Sequence, residues 1–212
     1  MNGKGRPRGF DKAEALRRAM EVFWTRGFQG ASMAELTAAM GLNAPSVYAA
    51  FGDKVALFRA AMALYNETDG AGIWDGIETA PTARDAVAGM LRASVEAFTC
   101  GEAPRGCMVV LSALQSESPH PEICDDLKAM RLRNIDLLER RFERARNDGE
   151  LPNGSDCRAI AVYVTTLQHG MSIQARDGAN RETLSAVVDC AMAGWDAMIA
   201  ASQLNGGDTR RQ

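Results

Sequence analysis

The chain has 212 residues, 46% hydrophobic and 24% charged, with a formal net charge of −3. That is enough apolar material for one or two packed domains and too much for a disordered chain. No apolar run approaches the ~18 residues of a membrane span, and the Gly- and Arg-rich start lacks an apolar signal core, so a cytoplasmic protein with no membrane partner is expected. In chain order, residues 1–9 form a basic arm whose Gly and Pro oppose helix formation. Asp11 caps a first helix over residues 12–26 that ends at Gly27, with Leu16, Met20 and Phe23 inward. Ser32 and Glu35 form a capping box that opens a second helix, stopped at Gly41. Asn43 caps a third, with Pro45 harmless in its first turn, ending near Phe51 and Gly52. Asp53 caps a fourth that reaches Thr68. After a looser stretch to Pro81, Thr82 opens a helix to Cys100. Further helices are expected over residues 107–116, 122–147, 155–175 and 181–202, before a polar tail at 205–212. No convincing strand pattern appears, so the fold class is all-α.

Residues 32–51 pair two short helices across a tight turn at Gly41, the layout of a helix-turn-helix. Leu36, Met40, Val47 and Phe51 supply an inward face. Ala44, Ser46, Tyr48 and Ala49 leave an outer face of small or hydroxylated side chains that can approach DNA closely in the major groove. On spacing alone an ordinary helical corner fits as well. The first 60 residues carry nine Lys/Arg against five Asp/Glu, and the other 152 carry 15 against 22. This reads as a basic module on an acidic body, or as chance. Arg6 and Arg8, held extended by flanking Gly and Pro, suit a narrow A·T-rich minor groove, although a solvated tail has the same composition.

From Phe10 to Leu57 the chain resembles the DNA-binding domain of the tetracycline-repressor (TetR/AcrR) family. The resemblance is carried by Ala19, Phe23, Gly27-Phe28, Ser32, Gly41-Leu42, Ser46-Val47-Tyr48, Phe51, Asp53-Lys54 and Leu57-Phe58. Thr37 departs from the Ala common at its position. The resemblance implies a homodimeric transcriptional regulator, usually a repressor, whose third helix enters the major groove of an operator. It implies phosphate contacts from Ser32, Met33 and Lys54, and groove contacts from Asn43, Ala44, Pro45, Ser46 and Tyr48. A helix N-terminus bearing a hydroxyl independently favours the phosphate role of Ser32. The implied organisation is an arm at 1–9, a three-helix DNA-binding domain at 10–54 and a helical domain at 55–204 for ligand binding and dimerisation. A small-molecule inducer in that domain spreads the two DNA-binding domains.

In the C-terminal body, Leu184, Val187, Val188, Ala191, Trp195, Met198 and Ile199 make a stripe at helical spacing. The resemblance implies a four-helix dimer interface from the last two helices of each subunit, with Leu184, Val188, Ala191, Trp195 and Ile199 in it. A monomeric core would show the same stripe. Asn134 interrupts the apolar face of the 122–147 helix and needs a partner, either a ligand or another core group, and Gln168 and His169 pose the same question. Five cysteines without a CxxC pair, and only two histidines, argue for reduced thiols and against a zinc site, and no cofactor is expected. Cys107, at an expected helix start near Arg105, is a candidate reactive thiol or a buried small residue. No GxSxG, HExxH or phosphate loop is present, which weighs against an all-helical enzyme with an incidental corner motif.

Overall fold

The computed structural model describes residues 10–101, 106–112 and 120–205, and among them finds ten helices and no strand. The expected Arg6 and Arg8 contacts, and residues 113–116 of the helix expected over 107–116, lie outside the described residues. The chain divides into two compact units, Met1–Thr68 and Asp69–Gln212.

In the first unit α1 spans Lys12–Gly30, α2 Met33–Met40, α3 Ala44–Phe51 and α4 Lys54–Glu67. Each begins on a short polar side chain that accepts from the first turn: Asp11 from Ala13 and Glu14, Ser32 from Glu35, Asn43 from Ser46 and Asp53 from Ala56. The regular first helix breaks after Arg26, where its end was expected. Gly27 takes φ 69° and ψ 174°, which kinks the helix, and a further turn continues to Gly30. That turn delivers Phe28 to the core, 5.1 Å from Phe58, whose ring meets Phe23 edge-on at 5.0 Å. Leu36, Met40, Val47 and Leu57 close the same core. The expected boundary stood at residue 54, and the compact unit runs on to Thr68. Leu57, Phe58, Ala61 and Tyr65 make α4 part of the first unit's core, because their aromatic and aliphatic partners lie on α1.

In the second unit α5 spans Ala83–Thr99, α6 Met108–Leu111, α7 Pro121–Asn147, α8 Cys157–Arg176, α9 Arg181–Ala193 and α10 Trp195–Asn205. α5 packs on α8 and α9, and α7 on α8. The turns before α5 are fastened by Arg141, which is buried. Its Nη2 donates to Glu150 at 3.2 Å, and that carboxylate accepts from the Ala83 N–H at 2.6 Å.

The single last helix expected over residues 181–202 is two helices, bent by 50° at Gly194. Glycine's missing side chain weakens the helix there, and the bend turns Trp195 inward to 6.4 Å from Phe142. No single described helix is long and apolar enough to cross a membrane, and only the bent α9–α10 pair passes on length and composition.

The stripe expected at the dimer interface is inside the protomer. Leu184 (0% exposed), Val188 (1%), Trp195 and Ile199 are all buried, and Ala191 is half-buried. α9 uses this face to cover α5, so the side chains are spent on the chain's own core.

Candidate nucleic-acid interface

The turn between α2 and α3 is built by Gly41 in the left-handed region (φ 66°, ψ 30°), with its N–H bonded back to α2. Asn43 then caps α3 through Oδ1, at 2.9 Å from the Ser46 N–H, and Pro45 sits in the first turn. This leaves Asn43, Ala44, Pro45, Tyr48 and Ala49 exposed and Ser46 half-buried, while Val47 is buried. Tyr48 is 50% exposed, the largest side chain on this face, so its phenol is presented outward beside small neighbours. The expected groove-facing set is thus exposed or half-buried around the first turns of α3.

At the start of α2 the Ser32 hydroxyl is already engaged. It accepts from the Glu35 N–H at 3.1 Å and donates to the Glu35 carboxylate at 2.9 Å, while that carboxylate also accepts from the Ser32 N–H. These bonds, the backbone one first, hold the Glu35 carboxyl below its ordinary pKa. Free anion donors at this end are therefore the first-turn backbone N–H groups, with half-buried Met33 alongside. Thr37 costs nothing visible: its hydroxyl donates to the Ala34 carbonyl at 3.0 Å.

Two lysines flank the motif, each resting on an aromatic ring. The Lys54 ammonium lies 4.6 Å from the Phe28 centroid, and burial lowers its pKa. Lys12 lies 4.9 Å from the centroid of Phe51. A ring beneath an ammonium restricts a long side chain without neutralising it. Lys12 was not singled out from the sequence, where its position one residue after the Asp11 cap was the available signal.

The second unit holds the remaining candidates. Gln168 is buried, with Nε2 3.5 Å from the Ser94 hydroxyl of α5, so its amide belongs to the α5–α8 packing rather than to a cavity. His169, one residue on, is half-buried and turns toward Arg131 of α7. Burial first, and then the charge of Arg131, push its pKa from 6.5 down to about 4, so the ring is neutral near pH 7. Asn134, half-buried, lies one turn beyond Arg131. Cys107 is buried at the start of α6, with its N–H 2.7 Å from the Ser172 Oγ. α6 has four residues, too few to carry much dipole, and Arg105 lies outside the described residues. The nearby described cation is Arg131. None of the five cysteines is in a disulfide, and no group of three or more metal-ligating side chains occurs among the described residues.

Comparison with known proteins agrees along most of the chain. Residues 15–61 match the family described as bacterial regulatory proteins, tetR family, and residues 81–189 match the tetracyclin repressor-like C-terminal domain. The chain is 29% identical to the HTH-type transcriptional repressor ComR of Escherichia coli (strain K12), over 92% of this chain and 94% of that protein. It is also 29% identical to the repressor BdcR of the same organism, over 90% of each. Among solved structures, the TetR family regulator CifR, in a cysteine-substituted form complexed with 26-bp double-strand operator DNA, is 46% identical. It covers 90% of this chain and 100% of its own, with a TM-score of 0.84.

Proposed function

The chain belongs to the tetR family of bacterial regulatory proteins, and from that premise we propose a cytoplasmic transcriptional repressor that binds a palindromic DNA operator as a homodimer and leaves it when a small molecule occupies the second unit. The observation that carries the DNA-binding reading is the outer face of α3. Asn43, Ala44, Pro45, Ser46 and Tyr48 share a close-approach surface, supported from behind by Val47. The similarity to a regulator solved on operator DNA supports the same reading. Phosphates are held by the α2 start at Ser32 and Met33 through backbone N–H groups, and by Lys54. Arg6 and Arg8 enter the adjacent minor groove.

The dimer seam is the outer face of α8 with α10, opposite the buried stripe. Val162, Tyr163 (52% exposed) and Ile173 are large apolar side chains open to solvent on α8. Tyr163 lines a groove with Met198 and with Ala159, Gly194, Ala197 and Ala201, whose small size leaves room for a second helix pair.

Selection of bound duplexes from a random pool tests the proposal. Enrichment of a two-fold palindrome is expected. Failure to enrich any sequence, or an asymmetric single site, would overturn it.

A further inference from the structure

Arg131 is a half-buried cation with no carboxylate beside it among the described residues. It lies on α7, and its one recorded hydrogen bond runs from Nη1 to the Val109 carbonyl of α6 at 3.1 Å. Arg141, Arg158 and Arg181 each meet a carboxylate, whereas Arg131, like Arg144 and Arg146, meets a backbone carbonyl. Arg131 has no carboxylate within ion-pair reach among the described residues. The positions one turn away on its own helix, Leu127, Lys128, Asn134 and Ile135, cannot supply one. A guanidinium has five N–H donors in a fork, and one bond leaves most of them unused.

Three elements converge on it. α6 packs on both α7 and α8, so Cys107 approaches from the α6 start and His169 from α8, while Cys124 and Asn134 share α7. Burial draws the Arg131 pKa below its ordinary value, which the nearby Cys107 and Cys124 partly oppose. His169 is kept neutral beside it. The surroundings are therefore a partly desolvated positive charge, a neutral imidazole, an amide one turn on and two thiols. Retaining an unpaired, half-buried cation is unfavourable unless an anion arrives.

We infer that Arg131 anchors an oxyanion, such as a carboxylate, sulfonate or phosphate monoester, carried by the small molecule that the second unit takes. This rests on the inducer reading above and adds the chemical class of the ligand. The fork donates to two oxygens side by side, and Asn134 and His169 supply neutral donors beyond it.

The test uses the two thiols as reporters in the full-length protein. Iodoacetate and iodoacetamide are nearly the same size and differ in carboxylate against amide. In both, the thiolate forms an S–C bond as iodide leaves with the electron pair. Adducts are counted at each cysteine by peptide mass spectrometry, and exposed Cys100 and Cys190 set the reference ratio of the two rates. The iodoacetate-to-iodoacetamide ratio at Cys124 and Cys107 is expected to exceed that reference by about tenfold, as attraction to one partly desolvated charge implies. Arg131→Gln, which keeps a donor for the Val109 carbonyl, should return the ratio to the reference. The comparison among cysteines of the unmodified chain stands even if that variant fails to fold. A ratio equal to the reference, or no reaction at either thiol, overturns the inference. The alkylated protein is then assayed on the selected operator. A raised, Arg131-dependent ratio with operator binding intact leaves the anion site standing and removes the inducer reading instead.

Discussion

Tyr48 and His169 occupy opposite physical situations, one exposed and one half-buried. The Tyr48 phenol is presented outward from α3, near Ala44 and Ala49 in the chain. Tyr48→Ala is expected to weaken operator binding by about 1–3 kcal/mol, the scale of one polar contact to a charged group, with helicity and dimerisation unchanged. Fluorescence anisotropy on the selected operator checks this, and unchanged affinity would remove Tyr48 from the interface. His169 bears on stability instead. Its folded pKa of about 4 lies below the ordinary 6.5, so the unfolded chain binds the extra proton more readily. Its contribution is whole above pH 6.5 and is lost as pH falls toward 4, amounting to at most about 3 kcal/mol. Chemical denaturation at pH 7 and pH 4.5 should show a smaller acid loss for His169→Gln than for the parent, and equal losses would mean the ring stays solvated.

At the scale of elements, caps and breaks were open to reading from the sequence and packing directions were not. Asp11, Ser32, Asn43, Asp53 and Thr82 all cap the helices they were expected to cap, because each bond closes within three residues. The bend at Gly194 was missed because an isolated Gly is tolerated in a helix unless tertiary contacts reward a turn, here Trp195 on Phe142. The approach of α6 to α8 gives a sharper test. Gly106 has φ 67°, and a Cβ there would lie 2.3 Å from the Ser172 carbonyl oxygen. Gly106→Ala is therefore expected to destabilise the second unit by about 2 kcal/mol or more, with α6 moving off α8. Denaturant melts measure the loss, and a stability within ~0.5 kcal/mol of the parent would contradict the close approach.

For the whole molecule the decisive comparison is between two apolar faces. Val188 lies in the protomer's own core, so Val188→Glu buries an unpaired carboxylate and should unfold the second unit, not merely separate subunits. Met198 lines the open α8–α10 groove, so Met198→Glu should place like charges across a two-fold seam and yield a folded monomer. Light scattering with circular dichroism separates these outcomes. The monomer should also lose the affinity advantage of a palindrome over a half-site, since the second reading head no longer arrives tethered. A folded, dimeric Met198→Glu would place the seam elsewhere.

The sequence by itself determined the helical class, most helix boundaries and the DNA-reading motif. Those signals are local: a cap, a turn glycine and an apolar period lie within one or two turns of the residues they organise. It also singled out Cys107, Asn134 and His169, but not Arg131, which draws them together. An arginine on a long charged helix looks like any solvated cation until another helix covers it. Only the tertiary structure decided which face of the last helices turns inward. Leu184 and Val188 have the composition of an interface and of a core alike, and what separates the two is whether α5 of the same chain reaches them first.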